Sequence, residues 1–197
     1  MVEVNLRIAT LGAKVVPPNY ESHPDAYVEF AYLQVRKALE LIALATLVSN
    51  RSAYSAAYKN FEKARDARLI FRDLERVNPH FYPKPAVENP NPEPGVNWHL
   101  SHFAGDYLTK SKFFNLYERC GSILHTQNPY GSKRNVGQYL ADLPKQRKLV
   151  EALLHVHTVQ LTNDDNRYLV HMHEPDGKVH YYTLTPKHEQ NGREQRE

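Results

Sequence analysis

The chain has a single cysteine, Cys120, among 197 residues. A disulfide framework is therefore excluded, and a cytoplasmic protein is expected. Long apolar runs are also missing. The longest, 41–48, falls well short of the roughly 20 residues that span a bilayer, so no membrane partner is expected. The opening MVEVNLRIATLG lacks a basic cluster followed by an apolar stretch, and no signal peptide is expected. No charge of one sign dominates: 25 Lys and Arg stand against 22 Asp and Glu, a formal net charge of +3. That excludes a polybasic tail. The chain contains no G-x-G-x-x-G, no G-x-x-x-x-G-K-[ST] and no G-x-S-x-G. Nucleotide binding of the first two kinds and hydrolysis of the third are thereby unsupported. No internal repeat is present.

With 41% hydrophobic and 24% charged residues, the chain is long enough to bury a core of its own. Alternating Val2, Val4, Leu6 and Ile8 suggest a short strand, ended by Pro17-Pro18. Residues 25–49 read as a long helix that is apolar nearly all round in its second half, so other elements must surround it. Its few polar residues, Glu29, Gln34, Arg36, Lys37 and Glu40, are therefore informative. A short turn at Ser49-Asn50 leads to a second helix over 52–76, with a core stripe at Tyr54, Ala57, Phe61, Ala64, Leu69 and Leu74. Pro83, Pro85, Pro90, Pro92 and Pro94 within 78–98 forbid a helix there and suggest an extended surface loop. Thr109 opens a third helix that ends near His125, ahead of Asn128-Pro129. Residues 135–154 read as a fourth helix, interrupted at Pro144. HTVQL, RYLVHMH and KVHYYTL then read as strands separated by TNDDN and EPDG turns. The expected fold is mainly α: an antiparallel four-helix bundle over 1–154, a small antiparallel β-meander over 155–186 packed on it, and a flexible tail over 187–197.

The segment 117–131, YERCGSILHTQNPYG, crowds polar and small residues into a stretch that should pack. Glu118, Ser122 and His125 fall at i, i+4 and i+7 on one helix face. His125 sits in the last turn, where the helix dipole favours the imidazolium, and imidazole suits proton exchange near neutral pH. Residues 109–148 carry eight Lys and Arg against Glu118 and Asp142. Lys110, Lys112, Lys133 and Arg134 in this stretch form a candidate phosphate-backbone patch. Tyr130 and Tyr139 are available to stack on bases. Glu29, Arg36 and Glu40 share a face of the first long helix, either as a semi-buried ion network or facing the same pocket as His125. His155/His157 and His171/His173 are i, i+2 pairs that would face each other across a hairpin, a geometry zinc accepts. No cysteine or regular ligand motif accompanies them, so they are read as a polar sheet face, with no metal and no cofactor.

Arg119 and His125 form R-x5-H, and the polar residues of Arg36-Lys37-Ala38-Leu39-Glu40-Leu41-Ile42 sit in an apolar helix. With LHTQNPYG at 124–131, these features resemble HEPN domains, in particular an uncharacterised bacterial branch, over roughly residues 25–155. The resemblance implies a dimeric helical bundle and a metal-independent endoribonuclease of toxin–antitoxin or phage-defence systems, with an antitoxin as possible partner protein. Carried over, Arg119 and His125 would be catalytic, supported by Arg36, Glu40, Glu118, Ser122 and Asn128. Active members often carry Asn, Asp or His after the arginine, and here Cys120 stands there. That departure favours the alternative, a non-catalytic module binding nucleic acid or a protein partner. Six residues of helix amount to about 9 Å of rise and about 240° of rotation. The pair therefore does not stack side by side on one helix, and shared chemistry at one phosphate implies a two-fold homodimer.

Overall fold

A computed structural model of the chain describes residues 2–12, 22–59, 63–90, 98–162 and 164–185. The described residues form six helices and a five-stranded antiparallel sheet. This overturns the expected four-helix bundle with a small C-terminal meander. The helices are α1 (Val2–Gly12), α2 (Pro24–Ser49), α3 (Arg51–Ala57), α4 (Ala67–Val77), α5 (Lys110–Leu124) and α6 (Val136–Leu154). The strands are β1 (Lys84–Pro90), β2 (Trp98–His102), β3 (Val156–Gln160), β4 (Arg167–His171) and β5 (His180–Leu184), in the spatial order β2-β1-β3-β4-β5.

The corrections have local causes. The N-terminal segment is a helix and not a strand, because only Val4 and Ile8 of the alternating set are buried. Their i, i+4 spacing follows the helical period, while Val2 and Leu6 lie exposed. The expected second helix is split into α3 and α4. Asp66 caps α4 by accepting a hydrogen bond from Arg68 N at 2.9 Å. Within its proposed stripe Tyr54 and Leu74 are buried, whereas Ala57 and Leu69 are exposed and Ile70 and Phe71 fill the core instead. The proline-rich segment is not a loop throughout, since Pro85 and Pro90 lie within β1. Strand β1 pairs with β3 only at Lys84 and Pro85, then runs beside β2 over Ala86–Pro90. A proline cannot donate to a ladder, and the short β1–β3 pairing fits that deficit. Pro144 lies inside α6 without ending it. Phe61, Pro17-Pro18, Pro92, Pro94 and the tail expected over 187–197 lie outside the described residues.

Helix α2 is the centre of the packing. Ten of its side chains are buried, from Val28 to Leu47, against α1, α4, α5 and α6. Thr109 caps α5 by accepting from Lys112 N at 3.3 Å, and Asn135 caps α6 by accepting from Gln138 N at 3.1 Å. At the far end of α2 a buried pair of amides joins three elements. Asn78 Nδ2 donates to Asn50 Oδ1 and to the Gln160 carbonyl, both at 2.8 Å, and Asn50 Nδ2 donates to the Thr46 carbonyl at 2.9 Å. One face of the sheet packs on the helices. His157 and Val170 lie there beside Ile42, Phe81 and Leu154.

His157 is 3% exposed, and its Nδ1 lies 2.9 Å from the Leu154 carbonyl. Burial pulls its pKa from 6.5 down to about 4. The native state therefore holds it neutral where the unfolded chain binds a proton. Its contribution is complete above pH 6.5 and is lost as pH falls towards 4. A gap of that size corresponds to roughly 3 kcal/mol. Denaturant melts at pH 7 and pH 4.5 should show this loss in the wild type and a smaller one in His157→Leu. An equal loss in both would place the acid sensitivity elsewhere.

Candidate functional site

Helices α5 and α6 and the loop between them enclose a polar cleft of about 520 Å³. Arg119, Ser122, Asn128, Lys133, Arg134 and Tyr139 line it, with Thr126, Gln127, Ser132, Asn135 and Gln138 adding neutral hydrogen-bonding groups. No Asp or Glu is among its described lining residues. The connecting loop is built by its own polar groups. Asn128 Oδ1 accepts from Tyr130 N at 3.0 Å, the Asn128 carbonyl accepts from Gly131 N at 2.9 Å, and Gln127 Nε2 donates to the Ser132 carbonyl at 2.8 Å. This is an Asx-type turn, and it leaves Tyr130 96% exposed.

Arg119 is the best-defined group in the cleft. Its Nη2 forms an ion pair with Asp142 of α6, and its guanidinium lies over the Tyr139 ring, 4.6 Å from the centroid. Its Nε is buried with no hydrogen-bond partner among the described residues. Behind it stands Tyr32 of α2, whose hydroxyl donates to the Tyr139 carbonyl at 3.2 Å and whose ring meets Tyr139 edge-on. Burial pushes the Tyr32 phenol up to about 12, although Arg119 pulls the other way. Tyr32 therefore stays neutral and braces the arginine without competing for its charge.

Arg134 is largely committed to the fold. It pairs with Glu29 at 3.1 Å and donates to the carbonyls of His125 at 3.0 Å and Ser122 at 3.5 Å. Those carbonyls end α5 and lack helical partners, so a cation there is favourable. Lys133 has no ion pair among the described residues. Lys110 and Lys112 stand at the opposite end of α5, paired with Glu75 and Asp106. The four-residue patch is thus divided, and only Lys133 and Arg134 belong to the cleft.

His125 caps α5 at its C-terminal end and is exposed, and it is not among the residues lining the cleft. Within one chain Arg119 and His125 are not brought together. Glu118 turns towards α4, 3.8 Å from Arg68. Ser122 Oγ donates to the Arg119 carbonyl at 2.8 Å. Arg36 and Glu40 pair with each other at 3.1 Å. Arg36 also donates to the Tyr117 hydroxyl at 3.0 Å and lies over its ring. A Cβ on Gly121 would come within 3.3 Å of the Arg36 guanidinium, so the glycine gives this crossing room. Of the polar face on α2, Glu29 alone reaches a residue of the cleft. Of the histidine pairs, His155 and His173 meet with ring centroids 6.0 Å apart, but His157 is buried towards the helices and His171 lies on the other sheet face with Glu88 and Glu174. Among the described residues no group of three or more His, Cys, Asp or Glu could hold a metal ion.

Sequence reasoning missed Tyr32 and the pairing of Asp142 with Arg119. Tyr32 reads as one more apolar residue on a buried helix, and Asp142 carries no motif. No protein-family model, no curated protein and no solved structure matches the chain.

Cys120 is fully buried beneath Arg36 and Arg119, whose charges only partly offset that burial. Burial pushes its thiol up to about 12, so almost no thiolate exists near neutral pH. In the native protein at pH 8, Cys120 should resist a disulfide-exchange reagent that labels it rapidly in denaturant. Labelling of native protein at the rate of a free thiol would put the sulfur within reach of the cleft.

Proposed function

We propose that the chain is a non-catalytic nucleic-acid-binding module that holds a phosphate backbone in the cleft between α5 and α6. The observation that carries this reading is Arg119. Asp142, Tyr139 and Tyr32 hold its guanidinium in place, and its buried Nε has no hydrogen-bond partner among the described residues. An unsatisfied buried donor is costly, and an anion accepting from it would recover that cost. Lys133 adds a positive charge that has no ion pair among the described residues, while the nearest carboxylates, Asp142 and Glu29, are each held by an arginine. Ser122, Gln127, Asn128 and Gln138 offer the neutral donors that position phosphates without reading sequence. Tyr130, fully open to solvent, supplies a face for an unstacked base, which favours single-stranded RNA over a duplex.

A second reading, metal-independent endoribonuclease action, draws on one observation: His125 is exposed at the end of α5, between the cleft residues Ser122 and Thr126 in sequence. There His125 would take the 2′-hydroxyl proton or protonate the leaving oxygen, and Arg119 would stabilise charge on the phosphate. Because Arg119 and His125 of one chain do not meet in the cleft, this reading needs a second copy. An antitoxin or other partner protein would belong to it.

The test is binding of a short labelled single-stranded RNA across a salt series. Wild type should bind, with affinity falling as salt rises. Lys133→Ala should lower the slope of log affinity against log salt by about 0.7, and Arg119→Gln should weaken binding severalfold. Salt-independent binding, or binding indifferent to both substitutions, would contradict the proposal. The same RNA on a denaturing gel with EDTA separates the two readings, since cleavage by wild type and not by His125→Ala would replace the first with the second.

A further inference from the structure

The face of the sheet turned away from the helices carries a second concavity, of about 440 Å³. Its floor is Leu169, 4% exposed and yet outside the main core. Around it stand Leu100, Leu184, Trp98 and Tyr182. The register places these side chains together: Leu169 is opposite Tyr182, Glu88 opposite Leu100, and Arg167 opposite Leu184. Trp98 is 58% and Tyr182 48% exposed. Two large aromatic rings are thus left half open over an apolar floor, an arrangement typical of a binding surface.

The polar rim of this concavity is acidic. His171 lies between two carboxylates, with Nδ1 against Glu174 and Nε2 3.2 Å from Glu88 Oε2. The second contact lacks hydrogen-bond alignment. The Glu174-Pro175-Asp176-Gly177 turn brings Glu174 back to His171. Gly177 N donates to the Glu174 carbonyl at 2.8 Å, and Gly177 adopts φ 73°. One imidazole cannot balance two carboxylates. Protonated, the trio carries one net negative charge; neutral, it carries two. Exposed aromatic faces attract cations through the ring quadrupole, and the uncompensated carboxylate adds to that attraction. The same charge repels a polyanion, so this face is not an extension of the α5–α6 cleft.

We infer that this concavity binds a small organic ammonium ion, its cationic head against Trp98 and Tyr182 and its charge balanced by Glu88. The inference does not rest on the function proposed for the cleft. Trp98 is the single tryptophan of the chain, so its fluorescence reports directly on the site. Full-length protein would be titrated with choline at constant ionic strength, and in parallel with 3,3-dimethylbutanol, its neutral isostere. A saturable change with choline and none with the alcohol is expected. Glu88→Gln and Tyr182→Leu each keep the reporter and should weaken choline binding about tenfold or more. Circular dichroism of each variant would establish that it is folded. Absence of a saturable signal in wild type, equal response to the neutral isostere, or unchanged affinity in both folded variants would overturn the inference.

Discussion

The burial of α2 is the constraint on which the rest of the structure depends. A helix of 26 residues with ten buried side chains cannot remain in water. It is covered by α1, α4, α5 and α6, and near its end by the inner face of the sheet. Removing one fully buried leucine such as Leu39 would cost roughly 2–5 kcal/mol, a large part of a domain's stability. This demand also places the polar groups. Tyr32 is carried to the back of Arg119, Arg36 to Tyr117, and Glu29 to Arg134. The site at the α5–α6 end is therefore set by the core, with the ion pair of Arg119 and Asp142 tying the two helices across it.

The parts of this fold that could be read in the sequence are those with strong local signals. Thr109 and Asn135 mark the starts of α5 and α6 because their side chains accept backbone hydrogen bonds there. The EPDG turn separates β4 and β5 because glycine adopts positive φ at Gly177 without strain. Failures came where tertiary context decides. Val2, Val4, Leu6 and Ile8 fit both periods, and only packing on α2 selects the helix. The prolines of 78–90 argue against a strand, yet β1 holds Pro85 at the end of its pairing with β3, opposite His157, and Pro90 at its last position, opposite Trp98. Joining that hairpin to the C-terminal strands makes one five-stranded sheet, which no local pattern announces. Arg119 was singled out together with His125 through the R-x5-H spacing, and of the two only Arg119 lines the cleft. Its partners Tyr32 and Asp142, distant in sequence, were not singled out.

The two concavities divide the molecule by charge. The α5–α6 cleft presents Arg119 and Lys133 with no described carboxylate among its lining residues. The sheet concavity presents aromatic rings beside Glu88, His171 and Glu174. Helices form the first and strands the second, and the buried layer of α2, His157 and Val170 lies between helices and sheet. The two proposals accordingly name ligands of opposite charge, a phosphate for the cleft and an ammonium ion for the sheet concavity. No described helix is long and apolar enough to cross a membrane.

The most direct measurement for the cleft is amide hydrogen exchange of the protein with and without saturating single-stranded RNA. The account predicts protection gathered in the segment 119–139, at the end of α5, the connecting loop and the first turn of α6, with the sheet strands unchanged. Protection centred on β2, β4 and β5, or none at a concentration where RNA is bound, would contradict it.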